Sequence, residues 1–343
     1  MTCHRPGRRA AGLAGDTMVF PAQDISLAAN LRRIATLVRD WPGERLDDAG
    51  CLRAVNTGAS ATPVFWCFNA AEEFLALGRK LGPGQPLAGM RSLNQVMNRT
   101  PATEHALDDL AGHYADALLR RFGRAPCIIG GNCQAAAIAY RVATRLIAAG
   151  VAVQRLVTLD AEVRFPFPGH VRLLFGSESQ AYNPFLAATP DPARPPERNW
   201  RFAYRSSDWR IVDGPHGTYF TPGHVPSLAR AILAPGPPPL PDPAPVDVRW
   251  TVSSVDEGDV HLSANPPAGW DGRGDLAVLP VWRRNGGGLI RIPGDRWIVP
   301  LAAGAAWHCT LPRPAEPVPH KVTPVLCMLD RGPLGWPRAL CIG

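Results

Sequence analysis

The sequence lacks any continuous apolar run approaching the roughly 18 to 20 residues of a membrane span, and its first residues lack the apolar core of a signal peptide. Its eight cysteines (Cys3, Cys51, Cys67, Cys127, Cys133, Cys309, Cys327, Cys341) contain no CxxC pair and no His/Cys cluster at metal-ligand spacing. Neither a zinc site nor a disulfide framework is indicated. A basic stripe interleaved with aromatics is missing as well. The formal charge of +7 comes from 36 Lys and Arg against 29 Asp and Glu, with Arg5, Arg8 and Arg9 near the N-terminus and the other arginines scattered. That pattern speaks against nucleic acid as a partner and favours acidic partners only weakly. A soluble cytoplasmic protein without metal is the expectation.

What is present is enough apolar material, 46% of 343 residues, to bury a substantial core and more chain than one average domain needs. Residues 1–23 are rich in Arg, Gly and Ala without periodicity and read as a disordered leader, with Met18 an alternative start. From Ser26, the positions Leu27, Leu31, Ile34, Ala35 and Val38 recur at helical spacing up to Pro42 and Gly43. Pro63-Val-Phe-Trp-Cys-Phe68 is a continuous apolar run between turn formers, as in a strand covered on both faces. A helix-forming stretch, a short strand at Leu87 to Met90, and a helix with Ala106, Leu107, Leu110, Tyr114, Leu118 and Phe122 on one face continue a βαβα alternation.

The next strand, Cys127-Ile-Ile-Gly130, runs directly into Gly131-Asn-Cys133-Gln-Ala135 and then into a helix closing at Gly150. A further strand, Val153 to Leu159, ends at Asp160, and later strands are expected at Val171 to Phe175 and Trp209 to Val212. Ala234 to Pro245 is so rich in proline that it favours extended polyproline geometry. Beyond it, short β-prone runs (Val248 to Val252, Val260 to Leu262, Leu276 to Trp282, Leu289 to Ile292, Trp297 to Leu301) alternate with turn residues. The chain therefore divides into residues 24–234 (α/β), a linker at 235–246, and a small all-β, sandwich-like domain at 247–343.

The chemistry concentrates at Gly131-Asn-Cys133-Gln-Ala135. A nucleophile on a tight strand-to-helix turn needs small flanking residues, and the turn aims the backbone N–H of Gln134 at an oxyanion on the substrate carbonyl. The helix N-terminus would also favour thiolate at Cys133. A second oxyanion donor is expected from the loop after the first apolar strand, at Asn69 and Ala70. The acid and base follow in chain order. Asp160 ends the next strand, with Glu162 or Asp213 as substitutes, and His216 lies before the terminal helix around Pro226 to Leu233, with His224 as a rival. Cys67 and Cys127, on apolar strands, read as small buried hydrophobes.

These residues resemble the thioesterase domains of non-ribosomal peptide and polyketide synthases and their stand-alone relatives. The likeness runs from about Pro63 to Leu233 and includes Phe65 to Glu73, Leu81-Gly-Pro-Gly-Gln-Pro-Leu87, Leu156 to Asp160 and Gly214-Pro-His216. It implies an α/β-hydrolase fold, a mostly parallel sheet flanked by helices. It also implies a triad of Cys133 as nucleophile, His216 as general base and Asp160 as orienting acid. The expected partner is an acyl or peptidyl carrier protein, or acyl-CoA, presenting a phosphopantetheine thioester, with no cofactor of the enzyme's own. The sequence departs from the family in cysteine for serine, in Ala135 for the last glycine, in Asn69-Ala-Ala-Glu72 for the usual His-Pro/Ala-Gly-Gly, and in a short span between Asp160 and His216. Any lid there is reduced or displaced, at Gln180 to Arg205. A thioester on cysteine stays activated, so its acyl group can pass to an amine, hydroxyl or thiol as well as to water. The rival expectation is a thioesterase-like binding protein without catalysis.

Overall fold

The computed structural model describes residues 24–98, 104–163, 165–186, 197, 200, 203–237, 248–256 and 259–265, and in the remainder 276–284, 289–290, 299–300, 306–312, 320–328, 332–333 and 340–341. The leader, most of the expected lid segment and most of the proline-rich linker lie outside the described residues.

An eight-stranded sheet forms the centre, in the order β1-β2-β4-β3-β5-β6-β7-β8. The strands are β1 (Glu44–Arg45), β2 (Arg53–Val55), β3 (Val64–Phe68), β4 (Leu87–Arg91), β5 (Cys127–Asn132), β6 (Val153–Leu159), β7 (Phe167–Gly176) and β8 (Tyr204–Val212). β2 runs antiparallel to β1 and β4, and every pair from β4 to β8 is parallel. This order, with its reversal between β3 and β4, is the α/β-hydrolase topology. The two short first strands were not foreseen, because three residues of Arg-Ala-Val carry too little periodicity to declare a strand. β7 and β8 also begin several residues earlier than the apolar runs at Val171 and Trp209 suggest. Each opens on a buried aromatic, Phe167 or Tyr204, but the residues that follow carry no apolar run, and pairing of the two strands holds them instead.

The helices are α1 (Leu27–Leu37), α2 (Ala71–Leu81), α3 (Glu104–Phe122), α4 (Ala136–Ala148) and α5 (Val225–Leu233). Ser26 starts α1, its hydroxyl accepting from the Ala29 N–H at 3.3 Å, and the stripe Ile34 and Val38 enters the main core. β3, β4 and β5 are buried along their whole length, as strands covered by helices on both faces must be.

The C-terminal stretch forms two antiparallel sheets, ordered β14-β10-β9 and β12-β11-β15-β16. Their main strands are β9 (Trp250–Val255), β10 (Asp259–Ala264), β11 (Leu276–Arg284), β14 (Trp307–Pro312) and β15 (His320–Met328). β12 (Leu289–Ile290), β13 (Val299–Pro300), β16 (Gly332–Pro333) and β17 (Leu340–Cys341) are two-residue pieces. Pro280 and Pro324 stand directly opposite each other in the β11–β15 ladder, a register that groups the missing donors at one pair instead of two. A second core of Trp250, Val260, Leu262, Trp282, Trp307 and Leu311 lies between these strands. Val281 of β11 and Val325 of β15, however, belong to the α/β core, and β16 lies against β7 and β8. The β-rich stretch is therefore packed onto the α/β unit.

Candidate active site

β5 delivers the chain to Asn132. Cys133 then opens a single 3-10 turn, Cys133–Ala135, that leads into α4. Cys133 has φ 48°, in the left-handed region that costs a side-chain-bearing residue about 1–3 kcal/mol and persists where the surroundings enforce it. The small neighbours permit the turn. A Cβ on Gly130 would lie 2.5 Å from the Trp66 ring and 2.7 Å from the Val157 carbonyl, and one on Gly131 would lie 2.9 Å from the Ala135 backbone. Ala135 takes the last position of the elbow with its methyl fully buried.

Asp160, one residue beyond β6, also has φ 48°. Its buried carboxylate accepts from the Gly176 N–H at 3.1 Å on Oδ1, and from the Ser179 hydroxyl at 2.6 Å and the Tyr219 hydroxyl on Oδ2. His216 Nδ1 lies 2.8 Å from the same Oδ2. A carboxylate only accepts, so the proton sits on Nδ1 and Nε2 is the basic nitrogen. Asp160, rather than Glu162 or Asp213, is thus the carboxylate on the imidazole. The Tyr182 ring stacks on His216 with centroids 4.0 Å apart. His224, at the N-terminus of α5, serves the same loop differently. Its Nδ1 meets the Thr218 hydroxyl at 2.9 Å, and its ring fills the space beside Gly214, φ 99°, where a Cβ would come within 2.4 Å.

Cys133 and His216 face one cleft of about 220 Å³, lined also by Asn69, Glu73, Asn132, Gln134 and Tyr219 among others. The Gln134 N–H is directed at the Cys133 sulfur. The second pair of expected oxyanion donors has another acceptor in this structure. The N–H groups of Asn69 and Ala70 donate to Glu73 Oε2 at 2.8 and 3.2 Å, and Glu73 also accepts from Asn132 Nδ2 at 3.2 Å on Oε1. Asn69 is locked by its side chain, donating to Asn132 O at 2.7 Å and accepting from the Ser92 hydroxyl at 2.7 Å. In the position where a His-Pro/Ala-Gly-Gly loop would be pliable glycine backbone, this chain has a cross-linked amide network.

The thioesterase-domain family model matches residues 66–165, from β3 to just beyond Asp160. The α/β unit is thioesterase-like. Its strand order is that of the α/β-hydrolase fold. Among solved structures the chain is similar to the NocB thioesterase domain from a nocardicin cluster, at 17% identity and TM-score 0.41 over 53% of this chain and 96% of that one. It is similar to the surfactin-cyclising thioesterase domain SrfTE at 14% identity and TM-score 0.38, over 55% and 96%. It is also similar to AB3403, a four-domain nonribosomal peptide synthetase, at 14% identity and TM-score 0.40, over 55% and 20%. No curated protein matches the chain.

The electrostatics of the site run against one expectation. Burial raises the Cys133 thiol pKa above its ordinary value, and the Asp160 and Glu73 carboxylates add to the effect against the N–H of Gln134. These influences run against the thiolate that the helix N-terminus would favour. Burial likewise raises the Glu73 carboxyl against its three hydrogen-bond donors. Cys67 and Cys127 are buried on their strands, and burial pushes the Cys127 thiol up to about 12. Glu73, Asn132, Ser179, Tyr182 and Tyr219 were not singled out by sequence. Only Glu73 carried a signal, a glutamate at the third position of a helix, and the cap residue is Ala70 instead of Ser or Thr. Among the described residues, no group of three or more His, Cys, Asp or Glu could hold a metal ion, and no helix is long and apolar enough to cross a membrane.

Proposed function

We propose that the protein is a cysteine-dependent, cytoplasmic thioesterase or acyltransferase that takes an acyl group from a carrier-protein or coenzyme A thioester onto Cys133 and passes it to water or another nucleophile. The observation that carries this reading is the imidazole of His216, hydrogen-bonded through Nδ1 to buried Asp160 and lining the same cleft as a cysteine on a strained elbow.

In the first half-reaction His216 Nε2 takes the Cys133 proton as the sulfur attacks the thioester carbonyl. The tetrahedral oxyanion leans on the Gln134 N–H, and its collapse expels the pantetheine thiolate, which recovers the proton from His216. In the second, His216 deprotonates the acceptor as it attacks the acyl–Cys133 thioester, and the proton passes to the departing Cys133 sulfur. The imidazolium formed in each half is stabilised by Asp160, which stays ionised throughout. The amide network around Asn69 supports a second reading, a binding protein without catalysis, because it leaves one oxyanion donor in place of two.

The deciding experiment incubates the purified protein with a panel of acyl-pantetheine thioesters and follows intact mass, with Cys133→Ala as control. An adduct on the parent protein that is lost in the variant is expected. Absence of adduct and of turnover across the panel overturns the catalytic reading in favour of the binding protein.

A further inference from the structure

Within that reading of the cleft, we propose that Glu73 recognises an ammonium group carried on the acyl chain, so that the preferred substrates are aminoacyl thioesters. Glu73 sits at the third position of α2 and caps the helix start in the ordinary way, accepting the Ala70 N–H. The same carboxylate also lines the cleft with Cys133. Its oxygens are fixed unequally. Oε2 accepts the N–H groups of Asn69 and Ala70, while Oε1 accepts only from Asn132 Nδ2 at 3.2 Å among the described residues. A carboxylate oxygen accepts two hydrogen bonds comfortably, so Oε1 keeps capacity for a donor arriving through the cleft.

The rest of the wall favours a cation. The amides Asn69, Asn94, Asn132 and Gln134 line the cleft with Glu73, together with Cys133, Tyr219 and the His216 imidazole, and among the described residues neither Arg nor Lys lines it. Arg91 acts on Glu73 through space, but its Nη1 and Nη2 donate to the Phe68 carbonyl, to Ser92 and to Gln95. Among the described residues, Glu73 thus has no Arg or Lys as an ion-pair partner within the cleft. The ammonium belongs to the acyl donor and not to the acceptor. An acceptor must hand its proton to His216, whereas Glu73 is tied to Asn69, Ala70 and Asn132, beside the nucleophile that carries the acyl group.

The test compares isosteric pairs, β-alanyl against butyryl and glycyl against propionyl pantetheine thioesters, by acylation rate on the parent protein and on Glu73→Gln. Gln keeps the shape and can still cap the helix, so a merely structural Glu73 predicts an unchanged ratio. The expected result is at least tenfold preference for the aminoacyl member on the parent protein, falling to near unity in Glu73→Gln. Equal rates within a pair on the parent protein overturn the proposal whether or not the variant folds, as does a preference that survives Glu73→Gln in folded protein. Failure of Cys133 to acylate with either member is a separate outcome, and it refutes the catalytic reading on which the proposal rests.

Discussion

Asp160→Asn isolates the orienting carboxylate with little change of shape. Asn tolerates the left-handed backbone that Asp160 adopts at φ 48°, and the side chain has the same outline, so the chain should fold. The hydrogen bonds then decide which way the amide faces. Oδ1 receives the Gly176 N–H, a donor that cannot rotate, while the other side receives the hydroxyls of Ser179 and Tyr219 and the His216 ring. With its NH₂ toward Gly176 the amide would bury donor against donor, at a cost of about 1–3 kcal/mol. With its oxygen toward Gly176, the two N–H groups can serve two of the three partners on the other side, a hydroxyl that turns to accept and His216 once its proton has moved to Nε2.

The second arrangement is the cheaper one, and it puts the proton on the nitrogen that should remove one from Cys133. Acylation should then fall by about 10⁴-fold, the size of the same tautomer error in serine triads, equivalent to about 5.4 kcal/mol at 1.36 kcal/mol per decade. Exchanging charge-assisted for neutral bonds should cost only about 1–3 kcal/mol of stability. Rapid-quench intact-mass kinetics with an acyl-pantetheine give the rate, and a thermal melt gives the stability. A folded Asp160→Asn that acylates within tenfold of the parent protein would refute the assignment of His216 Nδ1 as the donor to Asp160.

Because the Cys133 thiol is raised by burial and by two carboxylates, iodoacetamide should label it at a rate that climbs about tenfold per pH unit through neutrality; a plateau persisting to acid pH would instead reveal a resting thiolate. Gly130→Ala should destabilise the chain by about 1–3 kcal/mol or more, since its Cβ would meet the Trp66 ring and the Val157 carbonyl at 2.5 and 2.7 Å; a melt unchanged from the parent protein would contradict this. Arg172, wholly buried, donates to Asp208 at 2.7 Å and to the carbonyls of Ala231, Ala234 and Pro235. Burial would raise the Asp208 pKa, but hydrogen bonds from His170 and Arg172 outweigh it and hold the group well below the usual carboxylate range. A depressed folded pKa gives stability that is present above the unfolded value near pH 4 and lost as pH falls below it. Asp208→Asn should therefore cost about 3–5 kcal/mol at pH 7 and clearly less at pH 3, read from melts at both; an equal loss at the two values would show that the charge is not what matters.

Much of this fold is legible along the chain because its strands are short, wholly buried runs separated by helices of clear period. Val64 to Phe68 and Cys127 to Gly130 can hardly be anything else. The elbow is legible for a related reason: Gly130, Gly131 and Ala135 are small where bulk would collide. The hairpin of β1 and β2 is not, since its five residues owe their strand character to pairing, of β2 with β4 and of β1 with β2. Nor is the docking of the C-terminal sheets, because Val281 and Val325 look in sequence like any other strand valines. The partners of Asp160 escaped for the same reason. Ser179 and Tyr219 lie 19 and 59 positions away, and nothing local distinguishes them.

The carboxylates of this site act on the reaction in different ways, and that links selectivity to rate. When His216 takes the Cys133 proton, the Asp160–His216–Cys133 unit keeps one net negative charge, since a neutral thiol and imidazole become thiolate and imidazolium beside the same aspartate. Glu73 takes no part in that exchange. It opposes the thiolate and then the oxyanion, both of which carry negative charge nearby. An ammonium bound at Glu73 removes that opposition at the moment the thiolate forms. It therefore stabilises the transition state more than the ground state, and interactions of that kind raise kcat and not only affinity. Aminoacyl substrates should exceed their isosteres chiefly in the maximal acylation rate, and their pH–rate profile should lie to the acid side of that for butyryl or propionyl thioesters. A preference confined to KM would mean that the ammonium is held too far from the sulfur to ease its ionisation.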